Sequence, residues 1–281
     1  MARPRPGLSG EWDVGNAKFH EIHGALVTMD PGHAISTGLI DHSQAVLKFG
    51  HNPDVDTAAQ EEVNHFGNLT RLTAASTFTI VSDAAADDMT TGSGAWEVVI
   101  TYLDENYEQL SITYDMDGIT PVVTTETGLR IQSAYCGRCG SGGENAGNIT
   151  ITATTGGSTQ AYIRATDGQT DQSAYTVPAG YNAYFIAGHF SIAESGGRAL
   201  KETSAFLNSQ VRIYDETSTN NYQSWRTLFE VLLNNRGTGS QYLDQPVHNP
   251  IPEKTDIRFN VTVDANDTQA TARLFIILRE N

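Results

Sequence analysis

The chain has little cysteine, few basic residues and no long apolar run. Its two cysteines, Cys136 and Cys139, lie three apart, so they close no long loop; a disulfide framework is excluded and stability must come from packing. Nowhere do about eighteen apolar residues occur together, and the opening "MARPRPGLSGEWDVG" has no apolar stretch behind its arginines. The expectation is a soluble chain, with neither secretory leader nor membrane span. Lysine and arginine number 17 against 33 aspartates and glutamates, a net charge of −16 spread along the chain. Such a charge opposes contact with nucleic acid phosphates or an anionic membrane surface, so neither is an expected partner.

What is abundant is glycine, with 26 residues, together with threonine, serine and asparagine, while charged residues make up only 18%. This is the composition of a turn-rich β protein. A length of 281 residues suits one large all-β domain or two small ones.

Residues 1–55 carry "RPRPG", "DPGH" and "HNPDVD" at short intervals with little sustained period, which reads as an extended N-terminal arm. The remainder, 56–281, reads as a β body that divides, if at all, into about 56–155 and 156–281. From about Thr70 the hydrophobic period becomes two. In "AWEVVITY" Trp96, Val98, Ile100 and Tyr102 share a face, and in "QLSITYD" Leu110, Ile112 and Tyr114 do the same. "NITITAT" and "DIRFNVTV" alternate Ile149 and Ile151, then Ile257, Phe259, Val261 and Val263, with polar partners. These predict half-buried antiparallel strands. Turn chemistry separates them at "DENY", Asp117-Gly118, Gly156-Gly157 and Pro178-Ala179-Gly180. The fold class expected is all-β, an antiparallel β-sandwich or jelly-roll-like body with an extended arm. "SWRTLFEVLLNN" fits a helical stripe through Trp225, Leu228, Phe229, Leu232 and Leu233, and fits a strand through Phe229, Val231 and Leu233; its β-branched and aromatic neighbours favour the strand.

The chemistry-bearing patterns each have a structural reading. A zinc site needs four ligands, and the single C-x-x-C would need distant help from His189 or His248. A redox centre needs the pair at a helix N-terminus, yet "GSGGENAG" follows, where no helix can start. The glycines make no phosphate loop, because no Gly-Lys-Ser or Gly-Lys-Thr ends them. A wide glycine turn between two strands is the expectation. His20 and His23 beside Glu21 would suit a metal on a helix, but they fall in the arm. "YDMDG" lacks the ligand spacing and closing Glu of a calcium loop, leaving Asp115 and Asp117, with Asp83, Asp87 and Asp88, as turn residues or as an ion site at a subunit contact. Asp104, Glu105 and Glu108 are read as solvated turn carboxylates, not as a hydrolytic pair. The sequons at Asn68, Asn148, Asn260 and Asn266 matter only in a secreted setting. No residue is assigned as catalytic, cofactor-binding or metal-binding, and no cofactor is expected.

Across "GHNPDVDTAAQEEV", "LTAASTFTIVSDAAADD", "GSGAWEVVITYLDENYEQLS", "TPVVTTETGLRIQSAY", "GSGGENAGNITIT", "QTDQSAYTVPAGYNAYF" and the closing "IPEKTDIRFNVTVDAN", the chain resembles virion structural proteins of marine and cyanobacterial tailed bacteriophages. The likeness runs from about Gly50 to Asn281. It implies a non-enzymatic particle component made in the host cytoplasm, foremost a capsid decoration or cement protein on the capsid exterior. Its implied partners are the major capsid protein or other virion proteins, and it implies a homo-oligomer. The relatives carry small residues where this chain has Cys136 and Cys139, which argues against a shared metal or redox role. Two alternatives belong to the same setting. One is a tail or fibre module that binds host-surface glycans through exposed aromatics such as Tyr181, Tyr184 and Tyr222; the other is a jelly-roll main shell protein. An enzyme such as a depolymerase would rest on scattered carboxylates alone.

Overall fold

The computed structural model describes residues 20–22, 25–27, 34–35, 37–194, 203–218, 221–234, 239–244 and 249–281. Among them the chain is β throughout, apart from a helical turn that includes Ala34 and Ile35, and every strand pairing is antiparallel. The all-β antiparallel class expected from the two-residue period is the class observed.

Two pairs of sheets make up the body. In the first pair, β5 (Phe78–Ser82), β8 (Val122–Val123), β10 (Ile149–Ala153) and β11 (Thr159–Ile163) form one sheet, and β6 (Ala95–Leu103), β7 (Gln109–Asp115) and β9 (Arg130–Cys139) form the other. Between them Phe78, Ile80, Ile100, Ile131, Ile149 and Ile163 make one buried core. Val98, Ile100 and Tyr102 alternate inward along β6 as their period requires. Gly156 and Gly157 both have positive φ, 80° and 66°, the conformation that a tight turn between β10 and β11 demands and that glycine adopts without steric cost.

In the second pair, β12 (Tyr175–Thr176), β17 (Asp256–Val263), β14 (Ser204–Arg212) and β15 (Arg226–Asn234) lie in that order, with β4 (Glu61–Glu62) attached to β17. The facing sheet runs β16 (Ser240–Asp244), β13 (Tyr181–Glu194), β18 (Thr268–Glu280) and β3 (Ser43–Val55). Phe185, Phe190, Phe229 and Phe259 meet at its centre with ring centroids 4.9–6.4 Å apart. Each such ring removed from water contributes roughly 1.5–3 kcal/mol. "SWRTLFEVLLNN" is strand β15, with Val231 and Leu233 buried in this core.

Strands β5–β11 pair only with one another, so the sheets do not interleave as in a strict jelly roll. Each pair instead closes over its own core. The last thirteen residues of the segment read as an arm form β3, which pairs along β18. Upstream, β1 (His20–Ile22) and β2 (Ala25–Val27) make a small ribbon; residues 1–19 lie outside the described residues.

Candidate functional site

The C-x-x-C does not sit in a loop. Cys136 and Cys139 are on the last turn of strand β9, and the glycine-rich connection to β10 begins after them. Gly137 is an extra residue between Cys136, opposite Val98, and Arg138, opposite Glu97. Such a bulge re-aims side chains, and it leaves the two thiols close enough to perturb one another. Burial, with help from Cys139, pushes the Cys136 thiol up to about 12, so it carries almost no thiolate near neutrality. Both cysteines are free, and among the described residues no group of three or more His, Cys, Asp or Glu side chains is placed to hold a metal ion. The glycine loop packs backbone to backbone on the loop before β6. A Cβ on Gly140 would stand 2.7 Å from the Gly92 carbonyl.

Four of the acidic turn residues, Asp83, Asp87, Asp88 and Asp104, are committed to local hydrogen bonds. Asp87 is fully buried and accepts from Ser82 Oγ (2.6 Å) and from the backbone N–H groups of Ala95, Ala146 and Gly147 (2.7, 2.7 and 2.9 Å). Asp83 accepts from Asn148, Asp88 caps Thr90 and Thr91, and Asp104 caps Asn106 and Glu108. Asp115 is exposed on β7. The roles of Asp83, Asp87, Asp88 and Asp104 are structural. The asparagines of the four sequons are occupied as well. Asn68 accepts from the Glu62 N–H, Asn148 from Ala165, Asn266 from Thr57, and Asn260 is buried. His20 and Glu21 lie on β1, His189 is exposed on β13, and His23 and His248 lie outside the described residues.

The chemically dense region is a polar seam where β9 of the first core meets β17, β12 and β3 of the second, and sequence reasoning passed over it. Asp256 is wholly buried. It receives Arg130 through both oxygens (Nε to Oδ1 2.9 Å, Nη2 to Oδ2 3.0 Å), Arg212 Nη2 at 2.5 Å and the Thr176 hydroxyl at 2.6 Å. Arg71 forks onto Glu62 at 2.7 and 3.2 Å and lies 3.9 Å from Asp256, while Arg258 stands 3.7 Å from Glu62. Burial alone would push the Asp256 carboxyl up, but the guanidiniums of Arg130, Arg71 and Arg212 outweigh it and hold the carboxyl well below the usual range. Trp225 lies under Arg258, Arg71 and Arg212 at 4.0, 4.8 and 5.0 Å. Tyr222 lies under Arg212 at 4.1 Å, and its hydroxyl meets that of Tyr107 at 2.7 Å. Cation–π contacts of this kind suit desolvated guanidiniums.

Tyr222, expected as an exposed aromatic, is therefore half-buried as part of this lid. Tyr181 is tied to Gln44 at 3.1 Å, and Tyr184 is half-buried on β13. The three tyrosines form no shared platform for a sugar ring.

Further along the seam, Ser133 pairs with Thr101 and Ile131 with Tyr102, which leaves Gln132 as the bulge residue. Its side chain accepts from the Thr176 N–H at 3.1 Å and donates to the Thr176 carbonyl. It replaces a strand ladder across the gap. Lys48 Nζ of β3 donates to the Gln132 carbonyl. The arrangement joins two cores through hydrogen bonds with fixed directions, which set their relative placement as apolar contact would not. The signal available in the sequence was "LRIQSAY", where Arg130 and Gln132 alternate with Leu129 and Ile131, but no local pattern says which residues answer them.

No protein-family model and no curated protein matches the chain. Among solved structures, the crystal structure of the infectious bursal disease virus VP2 subviral particle is similar over 84% of this chain and 72% of its own, at 10% identity and a TM-score of 0.18. The structure of T=1 particles derived from infectious bursal virus is similar over 86% and 70%, at 10% identity and a TM-score of 0.14. At these scores the likeness carries no argument.

Proposed function

We propose that this chain is a non-enzymatic structural component of a virus particle, a capsid decoration or cement protein that binds the outer capsid surface and associates with copies of itself. The observation that carries the reading is an apolar strip on the outer face of β14 and β15. Phe206 is 47% exposed, Leu228 44% and Leu232 57%, with Phe206 paired directly to Leu232. β15 ends its sheet. Exposed apolar side chains on an unpaired edge strand mark a place where a second chain can add burial and strand pairing together.

Three further features support the reading. The sequence resembles phage virion proteins over most of its length. The net charge of −16 suits an outward face and repels packaged DNA. Asp104, one of the turn carboxylates weighed for hydrolysis, caps its own turn, and Asp83 and Asp87 are engaged in structural hydrogen bonds. The test is cosedimentation of the purified chain with undecorated capsids, alongside the double variant Phe206→Ser, Leu232→Lys. The variant is expected to lose binding by more than about tenfold, the scale of removing an apolar anchor, while keeping its thermal unfolding. Failure of the native chain to bind, or equal binding by the variant, would remove the reading. A truncation that probes the arm should stop before Ser43, because residues 43–55 are a body strand.

A further inference from the structure

Lys48 is the exception among the buried charges of the seam. It is 7% exposed, and among the described residues its ammonium reaches only the Gln132 carbonyl. Among the described residues it forms no ion pair, whereas Arg71, Arg130 and Arg212 all face carboxylates. A buried charge is normally paired. An ammonium has three donors, so two here remain to be used.

Lys48 lines a cavity of about 380 Å³ between β3 and β9. Two further donors line it. Tyr175 is 4% exposed, and its buried hydroxyl has no hydrogen-bond partner. The Thr170 oxygen accepts from the Ala134 N–H at 3.2 Å, which leaves its proton free to donate. Val46, Phe49 and Ala134 supply apolar wall, and the exposed side chains of Leu47 and Tyr135 bring the lining to the surface. One cation, two hydroxyl donors and an apolar wall define the complement of their ligand.

We propose that this cavity binds a small organic monoanion, a carboxylate with a short apolar body, whose oxygens take the free donors of Lys48, Tyr175 and Thr170. A single charge matches the single ammonium, whereas a phosphate dianion would leave an excess negative charge in a low-dielectric site. The chain's overall acidity does not forbid this. Exposed charges farther than about 8 Å away are largely screened at physiological salt, while the buried ammonium is not. The site does not depend on particle association.

The probe is benzoate, titrated calorimetrically into the full chain at pH 7 against chloride of equal ionic strength. Benzoate is expected to bind saturably at one site, with no such signal from chloride. Lys48→Met is expected to weaken it at least about thirtyfold, the effect of removing one partner of a buried charge pair, and Tyr175→Phe about fivefold, the effect of one neutral hydrogen bond. In the native chain, affinity is expected to fall as pH rises and the ammonium deprotonates. No saturable binding, equal binding by Lys48→Met, or affinity constant to pH 11 would overturn the proposal. If Lys48→Met does not fold, Tyr175→Phe and the native pH series decide it alone.

Discussion

At one end of the seam four guanidiniums surround two carboxylates under an aromatic lid; at the other, a single ammonium faces a backbone carbonyl and a cavity. Both groups are taken out of water, so both bear a desolvation cost. At the Asp256 end that cost is offset by charge-assisted hydrogen bonds and bidentate geometry. At the Lys48 end, among the described residues, only the neutral Gln132 carbonyl answers the charge, and burial drags the lysine down to about 8. The contrast separates a buried charge that holds a fold together from one that the fold tolerates.

Removing the shared carboxylate breaks the comparison most severely. Asp256→Ala leaves Arg130 buried without its partner and is expected to cost about 3–5 kcal/mol in urea unfolding. The same group gives an acid signature. Its folded carboxyl is held below the ordinary value, so its contribution is complete above the unfolded pKa of about 4 and is lost as pH falls below it. Asp256→Asn is expected to remove that part of the acid dependence.

Lys48→Met sharpens the comparison from the other side, by stabilising. The folded lysine near 8, against 10.5 when unfolded, corresponds to about 3 kcal/mol at neutral pH. Between those two values the unfolded chain binds more protons, so native stability rises with pH across that window and is level below it. The variant is expected to lack this rise. The difference between the two chains is the measurement to make, because Tyr175 and Tyr222, pushed up by burial, lower the stability of both above pH 10.

Gln132→Ala tests the middle of the seam. It leaves the Thr176 N–H and carbonyl without their side-chain partners, and a cost of about 2 kcal/mol is expected by chemical denaturation. The smallest effect belongs to the lid. Tyr222→Phe keeps the ring under Arg212 and loses the hydroxyl contacts to Tyr107 and Arg130, for which about 1 kcal/mol is expected.

Much of the fold was legible because strands write themselves locally. Val98, Ile100 and Tyr102 on β6, and Phe259, Val261 and Val263 on β17, face inward as their alternation required. The same reasoning left "SWRTLFEVLLNN" open between two periods, and only pairing with β14 settled it. The cysteines drew attention as a motif, yet a strand bulge and burial decide what they are. The seam was not legible at all. Arg130 and Asp256 are 126 positions apart, and Lys48 lies 84 before Gln132.

The sequence by itself determined the fold class of this protein: its alternation sets which face of each strand is apolar, and its glycines set where the chain turns. Those properties act over a few residues. The tertiary structure alone decided that the strands close over two cores, that β3 belongs to the body, and that Arg130 meets a carboxylate while, among the described residues, Lys48 meets only a backbone carbonyl. Such pairings arise from the register and approach of distant strands, and no window of local sequence contains that information.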